Sequence, residues 1–438
     1  METDHANGGV LHPSRRRGRA RTRAPPPLVT DRPPPVPPDW TRGEIVIAHL
    51  TGLRRVLVPG LAAVLALPVA GVARAEPPGH SDPFRAYACR QDIHPQDPDY
   101  PGVHVASIEK APNGDLLYAF YAGTQEKADD VATYMSRLPV GSKTWTEPRV
   151  IFDEPDQPDG NAVLWADDDT TYLFFSTIRG DGWTEADLRL IRSTDNGRTW
   201  SDPEQIREEW GWLFGTQPFR MSNGEVLVPI YSETRWASGW YIPSDNYSTW
   251  VPYPSDNDAD WPTSPNGAIQ PATVELEPGH LLAYLRTRDQ AIYRTESFDY
   301  GRTWTTAEPT GLPNNNARVA LIKLADGNLV LAHNPITSGR NILRLSLSTD
   351  QGKTWTKHVD VESEPGAEFS YPYLMQTGDG MIHLAYTHRR ESMRHLVFNE
   401  AFVRAGIDLP SNAQPVPVEL RNGKLKQPSA CHYVNTRR

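Results

Sequence analysis

The chain has 438 residues, enough for one large domain or for two to three domains of average size. Its formal net charge is −10 at pH 7, and the charged residues form no long acidic runs. An acidic protein of this kind is a poor partner for nucleic acid or anionic membranes, because both are polyanions.

The first segments in chain order do not belong to a folded domain. Residues 1–45 are rich in Arg and Pro and poor in apolar residues, so we expect an extension that is disordered or that precedes the true start of translation. Residues 46–75 combine Arg54-Arg55, the apolar run VLVPGLAAVLALPVAGV and an Ala-Arg-Ala site, which is the pattern of a secretory signal peptide. A permanent transmembrane helix is the weaker alternative, because the run contains prolines and small residues. We therefore predict a secreted or periplasmic protein without membrane insertion after cleavage, beginning with a linker over 76–94.

The two cysteines of the chain, Cys89 and Cys431, both lie after the predicted cleavage site. Two cysteines in an exported chain favour a disulfide. The 13 histidines show no HExxH or CxxC context, so the sequence predicts no metal site, and nothing in it indicates a cofactor.

An eight-residue motif recurs along the chain, as STDNGRTW at 193–200, SFDYGRTW at 297–304 and STDQGKTW at 348–355. Decayed copies end at Trp145 and Trp250, so the closing tryptophans are separated by 55, 50, 54 and 51 residues. Self-similarity at such a period indicates an array of supersecondary units.

Short β-type runs separated by turn residues lie between the copies, among them TTYLFFSTI, LRLIRST, GEVLVPIYS, HLLAYLRT, NLVLAHNP and ILRLSLST. Almost nothing indicates a helix. About four strands per repeat is the arithmetic of a β-propeller blade, so the predicted fold class is all-β. Within the motif, we expect Asp to accept hydrogen bonds from backbone N–H groups, Gly to adopt a positive φ, and Trp to pack between strands. The motif is therefore interpreted as structural, not catalytic.

The motif is similar to the Asp box of sialidases and their relatives, which build six-bladed β-propellers. Five boxes and a final segment without one, SYPYLMQTGDGMIHLAYTHRR, fit six blades, the last completed by strands from both chain ends. The segment YTHRRESMRHLVFN at 386–399 is similar to a sialidase-like branch with the pattern YTxRRxxxRHxVFN. The resemblance implies a propeller over 95–410 and a C-terminal tail over 411–438. With both chain ends in one blade, Cys89 and Cys431 would come close enough to pair.

Sialidases bind a carboxylate with three arginines and use a Tyr nucleophile, a Glu that activates it and an Asp acid/base. The resemblance implies Tyr371 as the nucleophile, Arg286 and Arg340 as carboxylate-binding residues, and Asp130 as the acid/base. Arginine suits such positions because it pairs with a carboxylate through two parallel hydrogen bonds. The alternatives are a packed aromatic ring at 371, surface charges on strands, and a solvated acidic loop around Asp130.

Two positions depart from the family pattern. The strand YPGVHVASIEK offers His104 where the first arginine is expected, and Gln270 replaces the activating glutamate. A Gln side chain cannot accept the phenol proton. Glu233 in VPIYSET is a candidate that would reach the central cavity from a neighbouring blade.

Three functions remain open from the sequence. The first is a secreted, monomeric exo-glycosidase that releases a sialic acid or another acidic sugar from a glycan. The second is a polysaccharide lyase in which His104 or Tyr371 removes a proton beside a uronate carboxylate. The third is a non-catalytic glycan-binding propeller, whose aromatic residues would stack on sugar rings; the candidates are Trp210, Trp212, Trp236, Trp240 and Trp261.

Overall fold

The computed structural model describes residues 85–258, 261–410, 416–421, 424–426 and 431–436. The expected extension over 1–45 and the signal peptide over 46–75 lie outside the described residues. Within the described ranges the chain is nearly all β, and no helix there is long and apolar enough to cross a membrane.

The strands form six antiparallel sheets. Strand β1 (Tyr87–His94) precedes the first blade. Blade one contains β2 (Gly102–Lys110), β3 (Leu116–Gly123), β4 (Ala132–Leu138) and β5 (Arg149–Phe152). Blade two contains β6 (Asp159–Asp167), β7 (Thr170–Ile178), β8 (Ala186–Ser193) and β9 (Glu204–Arg207), with a 3-10 turn at Trp183–Glu185. Blade three contains β10 (Trp212–Phe214), β11 (Phe219–Arg220), β12 (Val226–Ser232), β13 (Ala237–Ser244) and β14 (Thr249–Tyr253).

The second half of the chain continues the pattern. Blade four contains β15 (Ala268–Glu277), β16 (His280–Thr287), β17 (Ala291–Ser297) and β18 (Glu308–Pro313). Blade five contains β19 (Ala320–Lys323), β20 (Leu329–His333), β21 (Ile342–Ser348) and β22 (Lys357–Ser363). Blade six begins with β23 (Phe369–Gln376), β24 (Ile382–His388) and β25 (Ser392–Phe398), followed by helix α1 (Glu400–Ala405), β26 (Val416–Arg421) and β27 (Lys424–Lys426).

The first strand of each blade lies at the centre of the molecule, where it contacts the first strands of neighbouring blades. Strand β2 contacts both β6 and β23, so blade one meets blade six and the ring closes. The six-bladed all-β propeller predicted from the sequence is confirmed.

Blade six is assembled from both chain ends. Strand β1 pairs with β25 on one side and with β26 on the other. The segment 76–94 is therefore not a linker throughout, because Tyr87–His94 supplies a ladder of backbone hydrogen bonds to this sheet. The expected tail over 411–438 likewise contains two strands of the same blade.

The three full copies of the repeat form the same turn. Asp195 accepts hydrogen bonds from the backbone N–H groups of Arg198 and Thr199 and from the Thr199 hydroxyl, and Gly197 has φ +75°. Asp299 and Asp350 bond their own turns in the same manner. The closing tryptophans of these copies are half-buried and pack against the apolar core. The interpretation of the motif as structural therefore agrees with its contacts.

The C-terminal segment 431–436 links blade six to blade one. Cys431 forms a disulfide with Cys89 of β1, with 5.7 Å between their Cα atoms, as the sequence predicts. Four residues later, the Asn435 side chain donates to the carbonyls of Gly114 and Leu138 in blade one. The end of the chain thus adds a second link between blades six and one, beside the short segment that leads from β1 to β2.

Candidate active site

The candidate site lies around Tyr371 at the centre of the ring and is called the pocket below. It is built on a backbone feature that recurs in the inner strands. Val105 in β2, Asn161 in β6, Gln270 in β15 and Tyr371 in β23 all have φ between +52° and +56°. Each residue lies at a shift in the register with the next strand. A bulge with a left-handed residue is disfavoured for non-glycine residues and is concentrated at functional sites. Four blades therefore present a residue to the centre in the same unusual way.

Tyr371 lies in this centre beside an arginine from blade four. Arg286 donates from Nη1 to the Tyr371 hydroxyl at 2.8 Å and to Oε1 of Gln270 at 3.1 Å. Its Nε donates to Oδ1 of Asn316 at 2.8 Å, so three side chains fix the guanidinium. The structure therefore brings Tyr371, Arg286 and Gln270 together.

Gln270 connects this group to a second tyrosine. Its Nε2 donates to the Tyr231 hydroxyl at 3.2 Å, and Asn161 donates to the same oxygen at 3.0 Å. Burial raises the pKa of Tyr231 far above its usual range, so this phenol is neutral. Gln270 thus serves as an amide bridge between Arg286 and Tyr231.

Arg340 belongs to a chain of alternating charges at the rim. Its Nη1 pairs with Glu368 at 2.9 Å, and Glu368 also pairs with Arg390 at 3.0 Å. Arg390 in turn pairs with Glu126, which lies in the β3–β4 loop. Burial alone would raise the pKa of Glu368, but Arg340 and Arg390 outweigh burial and hold that pKa below its usual range.

His104 packs against the nucleophile candidate from blade one. Its ring centroid is 4.3 Å from that of Tyr371, and its Nδ1 lies 2.9 Å from the Thr387 hydroxyl. Burial, and then four surrounding arginines, lower the pKa of His104 well below its usual range. The imidazole is therefore neutral and adds no positive charge where the family pattern has an arginine.

Glu233 follows β12 and reaches the same region. Burial raises its pKa above the usual range, while the positive charges of Arg286 and Arg288 oppose that rise. A partly buried carboxyl in the field of Arg286 is thus present on a neighbouring blade.

Asp130 lies in a loop at the edge of the site and makes no described hydrogen bond or ion pair to the other predicted residues. It is exposed in the β3–β4 loop, where its carboxylate accepts hydrogen bonds from the backbone N–H and hydroxyl of Thr124. The loop is nevertheless tied to the rim of the pocket, because Glu126 pairs with Arg390.

Several pocket residues could not be identified by motif matching. Arg390 and Glu368 lie inside the segments YTHRRES and EFSYPYL, and the paired arginines in a short hairpin were the one signal available. Arg389 and Arg390 both have positive φ, 57° and 58°, in a turn that normally favours Asn and Gly. Arg318 had no signal, although its guanidinium carbon lies 5.3 Å from the Tyr371 ring centroid.

The proposed sugar-stacking tryptophans are mostly core residues. Trp212, Trp240 and Trp261 are exposed by only 1%, 0% and 5%, so their faces are unavailable to a ligand. Trp236 lies nearer the pocket, with the guanidinium carbon of Arg286 5.6 Å from its ring centroid. No group of three or more His, Cys, Asp and Glu side chains suited to a metal ion occurs in the described part of the chain.

Comparison with known proteins relates this geometry to sialidases. The chain is 28% identical over 235 residues to a sialidase of Bacteroides fragilis (strain YCH46), which covers 49% of this chain and 41% of that protein. It is 27% identical over 226 residues to the anhydrosialidase of Macrobdella decora, covering 45% of this chain and 29% of the relative. The chain thus spans less than half the length of these two relatives.

Solved structures share the fold. The intramolecular trans-sialidase from Ruminococcus gnavus superposes with a TM-score of 0.60 at 17% identity, covering 72% of this chain and 98% of that one. The Hadza microbial sialidase Hz136 gives a TM-score of 0.58 at 20% identity, covering 68% and 65%. The model of the BNR repeat-like domain matches residues 114–384, more than half of the sequence. The chain therefore belongs to the BNR repeat-like domain family.

Proposed function

We propose that this protein is an exo-glycosidase that hydrolyses a terminal acidic sugar, with a sialic acid as the first candidate. The observation that carries the proposal is the convergence of Tyr371 with two arginines. The guanidinium carbons of Arg286 and Arg340 lie 5.8 and 5.3 Å from the Tyr371 ring centroid. A sugar carboxylate bound between two guanidiniums would hold the adjacent anomeric carbon beside the phenol oxygen.

The residues would divide the chemistry as follows. The Tyr371 oxygen attacks the anomeric carbon while the glycosidic bond breaks, and Asp130 protonates the leaving oxygen. Gln270 cannot take the phenol proton, so we assign that proton to Glu233, whose pKa burial raises. Water then attacks the anomeric carbon with Asp130 as base, and Tyr371 leaves with the proton that Glu233 returns.

The substrate class follows from the pocket and from the relatives. Arg286 and Arg340 suit an anionic sugar, and the relatives named above are a sialidase and an anhydrosialidase. The signal-like segment at 46–75 supports export, so we propose extracellular or periplasmic glycans as the substrate. We also propose that the working form is a monomer.

A non-catalytic glycan-binding propeller is the second candidate, and the Gln270 amide favours it. The described hydrogen-bond partner of the Tyr371 hydroxyl is a cation, not a carboxylate that could accept its proton. A site of this kind binds an acidic sugar without turnover unless Glu233 takes over as the base.

A fluorogenic α-sialoside tests the proposal. Wild-type protein should release the fluorophore, while Tyr371→Phe should abolish release and retain binding. Binding without release by wild type, together with release by Gln270→Glu, would instead identify a propeller that has lost turnover. New absorbance from an unsaturated uronate with a polyuronate substrate would contradict hydrolysis and identify a lyase.

A further inference from the structure

Arg318 crosses the centre of the propeller beneath the pocket. It precedes β19 in blade five and is 0% exposed. Its Nη1 donates to the carbonyl of Gly215 in blade three at 2.6 Å. Its Nη2 donates to the carbonyls of Ala106 in blade one at 2.8 Å and Tyr371 in blade six at 2.9 Å. A side chain that reaches three blades from a fourth must lie on the axis.

The cation has neutral partners. Buried charges in proteins are usually paired with an opposite charge, because removing an ion from water is costly. The described hydrogen bonds of Arg318 go to carbonyl oxygens, and its Nε has no partner among the described residues. Burial lowers the pKa of Arg318 to about 10, which still leaves the guanidinium charged at neutral pH. The core of the ring thus retains a cation that ring packing alone does not require.

Two of the three carbonyls belong to the bulges that form the pocket. Tyr371 itself has φ +53°, and Ala106 follows Val105, which has φ +54°. Left-handed non-glycine residues persist only where the surroundings hold them. Arg318 holds both peptides at once, and its guanidinium carbon lies 5.3 Å from the Tyr371 ring centroid.

We propose that Arg318 is a positioning residue for Tyr371. It fixes the left-handed peptides of blades one and six, which aims the phenol at Arg286, and it places a permanent positive charge beneath the ring. The inference rests on the proposed function for its kinetic consequence, but its structural consequence can be measured without any activity.

The test compares Arg318→Lys and Arg318→Met with Arg344→Met in the full chain. Arg344 is a control from the third strand of the same blade, where it forms an ion pair with Asp360 at 2.6 Å. With a fluorogenic α-sialoside, Arg318→Met should lower kcat by roughly 10- to 100-fold, the scale of an ångström-sized misplacement, with a smaller change in KM. Arg318→Lys keeps the positive charge and should therefore recover part of kcat. The recovery should be incomplete, because one ammonium group cannot reach the carbonyls of three blades. Arg344→Met should leave kcat unchanged.

A crystal structure of Arg318→Lys provides the second measurement, which remains informative if Arg318→Met does not fold. The Tyr371 hydroxyl should leave Arg286 or residue 371 should leave the left-handed region. An unchanged Tyr371 together with wild-type kcat in Arg318→Lys would overturn the inference. Wild-type protein that cleaves no sialoside would refute the proposed function, and the position of Tyr371 in the variant would then decide the inference by itself.

Discussion

Arg286 should contribute more to ligand binding than Arg340, although the sequence ranks the two equally. Arg340 already pairs with Glu368 at 2.9 Å, so a ligand carboxylate would compete with a resident carboxylate. Arg286 donates to neutral oxygens of Asn316, Gln270 and Tyr371. A hydrogen bond to a charged group contributes about 1.5–3 kcal/mol. Arg286→Ala should therefore weaken binding of an acidic sugar by roughly 10- to 150-fold.

Arg340→Ala should weaken the same binding by a smaller factor, about 3- to 10-fold, because Glu368 already neutralises much of the Arg340 charge and stays paired with Arg390 when Arg340 is removed. Isothermal titration with free N-acetylneuraminic acid, and with an analogue whose carboxylate is replaced by a neutral amide, measures both effects. The neutral analogue should bind wild type and both variants alike. Equal loss for the two variants, or equal loss with the neutral analogue, would refute the assignment of Arg286 as the principal carboxylate-binding residue.

Three further predictions concern stability. Trp304 stacks on the buried Trp240 with ring centroids 3.5 Å apart, so Trp304→Ala should lower the free energy of unfolding by about 2–4 kcal/mol in a denaturant titration, without loss of activity per folded molecule. The disulfide closes a loop of 342 residues, so replacing Cys89 and Cys431 by Ser should lower stability by up to about 5 kcal/mol; two alkylatable thiols in the untreated protein would contradict the bridge. Burial raises the pKa of Glu109 to about 8, so the folded state keeps a proton that the unfolded chain loses near pH 4.3. This carboxyl should therefore make stability fall as pH rises from about 5 to 8, and Glu109→Gln should remove that contribution.

The fold could be predicted from the sequence because its signal there is periodic. Each copy of the repeat, ending at Trp200, Trp304 or Trp355, marks one blade and contains the Asp, Gly and Thr that its turn uses. The sequence also predicted that both chain ends complete blade six, but it did not identify Tyr87–His94 as one of those strands, because an isolated strand beyond the repeats has no periodic signal.

The pocket could be predicted only where a motif carried the residue. Tyr371, Arg286 and Gln270 lie in recognisable strand contexts, and the structure joins them by hydrogen bonds. The left-handed φ of Gln270 and Tyr371 could not be predicted, because neither residue type favours that conformation. Arg318 could not be predicted either, because its proposed role depends on carbonyls from three other blades, which no local sequence pattern brings together.

The most direct test of Tyr371 as a glycosyl acceptor is mass spectrometry after incubation with a fluorinated sialic acid that forms a slowly hydrolysed covalent adduct. Wild-type protein should gain the mass of one sugar, located on the peptide that contains Tyr371, and Tyr371→Phe should gain none. An unmodified wild-type protein that still binds the compound, or an adduct on another residue, would contradict the mechanism.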